Sequence, residues 1–147
     1  MTSGEVAAFL EAERVVTVAT LDRDGWPHLM PLWYVVREGA LWSWTYAKSQ
    51  KVRNLERDAR CTLQVEAGRD VYSELRGVMI RAGAVLHREP DVVLGVGVEL
   101  ALRYAGATAL PGEAREALRA QSAKRVAIEF RERSRATWDH RKLAGLY

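Results

Sequence analysis

The chain has 147 residues, enough for one domain (1–147) whose hydrophobic core folds without disulfides or metals. One cysteine, Cys61, excludes an internal disulfide framework and indicates a reducing compartment. The net charge of +3 is modest, and no helix-turn-helix, zinc-finger or RNA-binding signature is present, so we expect no nucleic-acid partner. No apolar run is long enough to span a bilayer and no signal-like segment opens the chain, so we expect a cytoplasmic protein without a membrane partner.

The first part of the chain predicts a helix followed by three strands. Thr2 and Glu5 form a capping box for a helix that we expect to end near Glu13. Three β-favouring runs follow, joined by tight turns, and predict an antiparallel meander: Val15–Leu21, Pro27–Arg37 and Ala40–Tyr46.

The remainder predicts three more strands and two more helices. The strands are Arg60–Ala67, Val71–His87 (with bends or bulges at Gly77 and Gly83) and Lys124–Glu132. The helices are Pro90–Ala105 and Glu113–Ala123. Six evenly spaced antiparallel strands with peripheral helices indicate an α+β protein built on a small closed β-barrel, with an open sandwich as the alternative.

The segment Tyr46–Leu55 joins the third strand to a short helix. Ser49 is a good N-cap residue, and two apolar residues spaced three apart supply the buried stripe of the helix. Lys51 falls in the first turn, where the helix dipole disfavours a cation. A lysine and Arg53 beside free backbone amides fit an anion docked at the helix start. The segment therefore predicts a phosphate site, and a solvated basic turn is the alternative.

Aromatic side chains follow two of the strands beside this segment. Trp42 and Trp44 share one face of their strand, and Trp33 and Tyr34 lie at a matching depth on the strand before it. Pro31 is expected at a sheet edge or bulge, because proline lacks a ladder donor. We expect a flat ring system to lie across these strands with its phosphate at the helix start, although core packing and an ordinary edge proline would explain the same residues.

Other chemistries lack support. The three histidines, His28, His87 and His140, lie in different elements without metal-ligand spacing, so we expect no metal site. No nucleophile elbow, Walker loop or dinucleotide fingerprint is present. Cys61 begins a buried strand without a neighbouring histidine and is predicted to be structural.

Several short motifs, in this order, resemble those of the split β-barrel flavin-binding superfamily. That superfamily includes pyridoxamine 5′-phosphate oxidase and the actinobacterial flavin/deazaflavin oxidoreductases. The motifs are Gly25-Trp26-Pro27-His28, Pro31-Leu32-Trp33, Ser49-Gln50-Lys51-Val52-Arg53-Asn54-Leu55 and Asp58-Ala59-Arg60. The tail Thr137–Leu143 is similar to the ending of the deazaflavin branch. The resemblance implies a split barrel of the FMN-binding type and a homodimer with cofactor sites between its subunits.

The resemblance also implies a set of cofactor-binding residues. The tricyclic ring would lie against Met30, Pro31, Leu32, Trp33, Trp44 and Thr45. The phosphate end would lie at Ser49, Gln50, Lys51 and Asn54. The partner subunit would contribute Arg76, Met79, Trp138 and Arg141.

By this resemblance, the protein is expected to be an F420-dependent oxidoreductase that transfers a hydride to a conjugated organic acceptor. FMN is the second choice of cofactor, and a non-catalytic carrier of flavin, deazaflavin or haem is a further alternative. Vitamin B6 is not expected as substrate, because Met30 and Val35 stand where the oxidases carry basic residues and Gly77 stands near their amide side chain. No catalytic residue is singled out, and Tyr46, His28 and His140 are the candidate proton donors.

Overall fold

The computed structural model describes residues 1–143, which form seven strands and four helices. The helices are α1 Ser3–Ala12, α2 Gln50–Arg57, α3 Pro90–Ala105 and α4 Gly112–Ser122. The strands are β1 Val15–Leu21, β2 Pro27–Trp33, β3 Val35–Arg37, β4 Ala40–Tyr46, β5 Arg60–Ala67, β6 Arg76–His87 and β7 Arg125–Asp139. Within residues 1–143, no helix is both long and apolar enough to cross a membrane.

All seven strands belong to one antiparallel sheet, in the order β2-β1-β5-β6-β7-β4-β3. The strands β2 and β3 lie at opposite edges of this sheet, although only Tyr34 separates Trp33 from Val35. The sheet must therefore curl until its two edges meet at this residue. Ser43 Oγ closes the seam there by donating a hydrogen bond to the Trp33 carbonyl at 2.6 Å. Beyond the seam β2 and β4 are not paired, so the structure confirms the predicted split barrel.

The prediction of a single return strand, Pro27–Arg37, and of six strands in all is wrong. The chain breaks at Tyr34, which is fully buried and whose hydroxyl donates to the Leu10 carbonyl at 2.7 Å. The last hairpin of the predicted meander is present only between β3 and β4, since β2 does not pair with β4 and the other neighbour of β4 is β7. A core aromatic inside an otherwise continuous β-favouring run gives no local sign that the chain changes edges.

Two further predicted strands have different limits. The strand predicted as Val71–His87 begins only at Arg76, because Tyr72–Glu74 forms a 3-10 turn. The strand predicted as Lys124–Glu132 continues to Asp139. Residues 131–136 are exposed on both faces, so this stretch lacks the apolar alternation that marks a strand, yet its ladder with β6 persists.

The inner face of the curled sheet holds the main core, which α1 and α2 complete. The largest buried side chains of this core include Val16, Val18, Leu63, Ile80 and Phe130. A smaller core lies on the outer face, where α3 packs on β3, β4 and part of β7. The outer face of β1 and β5 carries no helix in the described chain.

The side chains of β4 alternate between these two cores. Leu41, Ser43 and Thr45 are buried inside the barrel, whereas Trp42 and Trp44 face α3. The helix lies so close to β4 that a Cβ on Gly97 would sit 2.5 Å from the Trp44 ring. Glycine at this position is therefore required for the approach.

We expect Gly97→Ala to lower the free energy of unfolding, because overpacking costs about 1–3 kcal/mol and exceeds the gain in helix propensity of about 0.5–1 kcal/mol. Gly95→Ala on the same helix is the matched control, because its Cβ would meet only the end of the Arg37 side chain, at 3.2 Å. Urea unfolding of both variants checks the prediction. Equal stability of the two variants would contradict the placement of Trp44 under α3.

Candidate functional site

Buried polar side chains concentrate at one corner of the barrel. Six polar side chains are buried in the described chain, and five of them come from β1, β4 and α2: Thr20, Ser43, Thr45, Lys51 and Asn54. They surround the opening between β2 and β4, on the inner side of the sheet. A barrel core is stable without a cluster of buried polar side chains, so this corner is the candidate site.

One hydrogen bond ties helix α2 to β4, and another ties it to β1, the strand next to β2. Lys51 Nζ donates to Thr45 Oγ1 on β4 at 3.1 Å, and Asn54 Nδ2 donates to Thr20 Oγ1 on β1 at 3.0 Å. Gln50 Nε2 donates to Asn54 Oδ1 at 2.9 Å and so orients the amide. The helix is held in place by its two core residues on the opposite face.

Within the described chain, the start of α2 carries a buried ammonium without a counter-ion and a buried hydroxyl without a hydrogen-bond partner. Lys51 is 8% exposed, has no carboxylate within ion-pair distance in residues 1–143, and its pKa is lowered by desolvation. Ser49 has the extended backbone of an N-cap, but the predicted capping bond is absent, and its buried Oγ has no hydrogen-bond partner in the described chain. A buried ammonium and a buried hydroxyl of this kind carry a desolvation cost that an anion would offset. Both residues therefore fit a phosphate group.

The edge strand β2 forms one wall of the opening. Its residues His28, Met30 and Leu32 stand directly opposite the buried side chains of β1, so they share the inner face. Pro31 points outward on this edge strand, as its missing donor predicts. Trp33 also points outward and stacks on Tyr104, with ring centroids 4.0 Å apart.

A family model described as pyridoxamine 5′-phosphate oxidase matches residues 2–138. The chain belongs to the pyridoxamine 5′-phosphate oxidase family. The family match confirms the predicted superfamily. No curated protein sequence matches the chain.

Solved structures show the same fold. A conserved hypothetical protein from Mycobacterium tuberculosis is 40% identical, with a TM-score of 0.90 over 98% of this chain and 88% of that one. An F420 reductase is 23% identical, with a TM-score of 0.71 over 92% of this chain and 98% of that one. A haem storage protein from Vibrio cholerae is 15% identical, with a TM-score of 0.70 over 93% of each chain.

Within this family fold, the structure does not bring the Trp44 side chain to the corner. Successive residues of a strand face opposite sides, so Trp44 points to α3 while Thr45 points to Lys51. The Trp44 ring packs beside Gly97 and under the Arg125 guanidinium, 4.3 Å from the ring centroid. The backbone of Trp44 therefore adjoins the corner, while its ring packs on the opposite face of β4.

Four other predicted residues form a separate group near the start of β6: Arg76, Met79, Trp138 and Arg141. The Trp138 ring covers Gly77, and Arg76 lies over the Phe9 ring at 5.4 Å. Along β5, Cys61 is level with Thr20 and Ala67 is level with Arg76, a separation of six residues or about 20 Å. Within one chain Arg76, at the far end of this group, therefore lies well away from the level of Thr20, whereas Met79 lies about halfway between the two.

Sequence reasoning missed Thr20 and Ser43. The available signal is a hydroxyl residue at a buried position of the strand alternation, since Thr20 continues the inward series of Val16 and Val18. At these two hydroxyls the inner face of the barrel changes from apolar to polar side chains.

Neither a metal cluster nor a reactive cysteine is found in residues 1–143. In residues 1–143, no three His, Cys, Asp or Glu side chains come together as a metal site would require. Cys61 is buried, and desolvation raises the pKa of its thiol to about 12, so it stays protonated and unreactive.

Because burial lowers the pKa of Lys51 below its ordinary 10.5, the folded state binds this proton less tightly than the unfolded state does. The charge therefore destabilises the cofactor-free protein at neutral pH, and the penalty declines as pH rises towards 10.5. We expect Lys51→Met to raise the free energy of unfolding at neutral pH by about 1 kcal/mol, with the difference shrinking as pH rises. Urea unfolding over this pH range checks the expectation.

The matched control is Lys48→Met, because Lys48 is exposed in the same connection and its replacement should change stability by less than about 0.5 kcal/mol. If Lys51→Met lowered the free energy of unfolding of the cofactor-free protein at neutral pH, the inference that the Lys51 ammonium lacks a compensating anion would be contradicted.

Proposed function

We propose that this protein is an oxidoreductase that binds F420 at the corner between β2, β4 and α2 and transfers a hydride to a conjugated organic acceptor. The observation that supports it is the buried Lys51 ammonium without a counter-ion, beside the unpartnered Ser49 hydroxyl. Bound reduced F420 would supply the hydride. The chain's own residues bind and orient the cofactor and exclude water from the site.

Lys51 and Ser49 would hold the phosphate, while the Gln50–Asn54 amide pair fixes the helix start that carries them. The inner-facing residues of β2, Met30 and Leu32, would supply an apolar surface for the ring. Because β2 is an edge strand, half of its backbone amide and carbonyl groups are unpaired and can hydrogen-bond ring heteroatoms.

F420 remains the first choice over FMN. The structure of the F420 reductase shares this fold, so the fold accommodates such a cofactor. Arg53 is exposed on α2, one turn from the phosphate corner, in a pocket whose lining contains three arginines and three carboxylates: Arg23, Arg53, Arg57, Asp22, Asp24 and Glu56. A cation beyond the phosphate site favours a cofactor whose charge continues past one phosphate. FMN has no such extension.

His28 is the best-placed of the three candidate proton donors. It faces the inner side of the opening, and its buried Nδ1 has no hydrogen-bond partner in the described chain. His140 Nδ1 lies 3.1 Å from the Tyr72 carbonyl, near the distant start of β6. Tyr46 faces Arg125 on the α3 side. We therefore assign proton donation to His28.

We also propose a homodimer with cofactor sites between its subunits. Arg76 and Trp138 lie at the level of Ala67 and Glu66 on β5, about 20 Å along the sheet from the level of Thr20. A second copy could bring its own group to the opening. The expected solution mass is twice the chain mass of 16.5 kDa.

We expect Lys51→Met to weaken binding of F420 at least tenfold, because loss of a charged hydrogen bond costs about 1.5–3 kcal/mol. Binding of the phosphate-free deazariboflavin should change less than threefold, since it has no group for Lys51 to contact. Fluorescence titration of wild type, Lys51→Met and the control Lys48→Met gives these constants. The same titration with FMN and riboflavin compares the two cofactor types.

Equal loss of the phosphate-bearing and phosphate-free ligands in Lys51→Met would contradict the phosphate site. Tighter binding of FMN than of F420 would favour the FMN alternative.

A carrier function is the second candidate, because a haem storage protein has this fold. Steady-state turnover of reduced F420 with a panel of conjugated acceptors distinguishes the two. An enzyme should turn over many times per site, whereas a carrier should bind the cofactor or haem without turnover.

A further inference from the structure

A second pocket lies on the outer face of the sheet, on the side away from the corner described above. Ala19, Thr62 and Arg81 are directly opposite one another on β1, β5 and β6, so they share one face. The neighbouring residues of these strands, Val18 and Leu63, belong to the inner core. The pocket therefore opens on the part of the outer face that α3 leaves uncovered.

The floor of this pocket is apolar. Its lining apart from the arginines consists mostly of small and apolar residues: Ala19, Thr20, Leu21, Pro27, Cys61, Thr62 and Ala82. Its volume is about 370 Å³, at the small end of the range of ligand pockets. A floor of this kind accommodates a short aliphatic chain or a single ring.

Three arginines stand at the rim: Arg60, Arg81 and Arg133. Arg60 is already engaged by Asp58, at 2.6 Å. Within residues 1–143, Arg81 and Arg133 form no ion pair, although most other arginines of β7 are matched by a glutamate. Two guanidinium groups without counter-ions beside an apolar floor indicate an anionic ligand.

A β-bulge directs one of these arginines to the pocket. In the ladder of β6 and β7, Arg81 pairs with Ser134 and Ala82 pairs with Glu132, so Arg133 is the extra residue without a partner. A bulge re-aims a side chain that a regular strand would place elsewhere. The Arg133 guanidinium lies across Gly83, where a Cβ would be 3.3 Å from Nη2 and 3.4 Å from Nε. The bulge and this glycine together place the charge at the rim.

We propose that this pocket binds a small anionic amphiphile, with its apolar body on the Ala19–Leu21–Pro27 floor and its carboxylate or phosphate head held by Arg81 and Arg133. The pocket opens on the outer face of β1, β5 and β6, whereas Lys51 and Ser49 lie at the start of α2 on the inner side, and Thr20 on β1 is the one residue that lines both. Ligands without a charged head, and anions without an apolar body, satisfy only half of the pocket and bind more weakly.

Isothermal titration calorimetry with octanoate, 1-octanol and inorganic phosphate tests the proposal. Octanoate is expected to bind wild-type protein at least tenfold more tightly than 1-octanol or phosphate does. The double variant Arg81→Gln/Arg133→Gln is expected to lose at least tenfold in octanoate affinity and to keep its affinity for 1-octanol within about twofold. Octyl phosphate in the same titration distinguishes a carboxylate head from a phosphate head.

The matched control is Arg115→Gln/Arg119→Gln, which removes two exposed arginines from α4 and should leave octanoate binding unchanged. All four replaced side chains are exposed, and thermal unfolding verifies that each variant folds. F420 affinity should be the same in both double variants, so failure of this site is separable from failure of the proposed function. The proposal is overturned if octanoate shows no saturable binding, or if it binds no more tightly than 1-octanol or phosphate. It is also overturned if the two double variants lose the same amount of octanoate affinity.

Discussion

The buried ammonium of Lys51 is the constraint on which the corner of this barrel depends. Its single hydrogen-bond partner in the described chain is the Thr45 hydroxyl, and burial lowers its pKa. A folded protein gains no stability from an uncompensated buried charge. The residue is therefore explained by what it binds, and the unpartnered Ser49 hydroxyl beside it indicates the same kind of ligand, an anion.

The split in the barrel follows from one buried residue and creates this corner. Tyr34 turns the chain from one sheet edge to the other, and the bond between Ser43 and the Trp33 carbonyl closes the seam at that end only. The unpaired stretch of β2 and β4 then leaves a gap that α2 spans. The same curvature separates the inner face from the outer face, where α3 covers one half and the arginine-rimmed pocket occupies part of the other.

Much of this architecture could be predicted from the sequence, and the failures have physical causes. The strands β1, β4 and β5 and helix α3 have the predicted limits because their apolar patterns are local. The break at Tyr34 could not be predicted, since it depends on a contact with the Leu10 carbonyl, 24 residues earlier in the chain. Lys51 and Ser49 were found from their helix-start position. The contact of the Trp44 ring with α3 could not be predicted, because a strand pattern shows which residues share a face and not which face a helix covers.

The most direct test of this account is the pKa of Lys51 measured by NMR of its ε-methylene group, in the free protein and with F420 bound. The account predicts a value below the ordinary 10.5 in the free protein and a rise on binding of F420, with no rise on binding of the phosphate-free deazariboflavin. A pKa at or above 10.5 in the free protein, or one that F420 leaves unchanged, would contradict it.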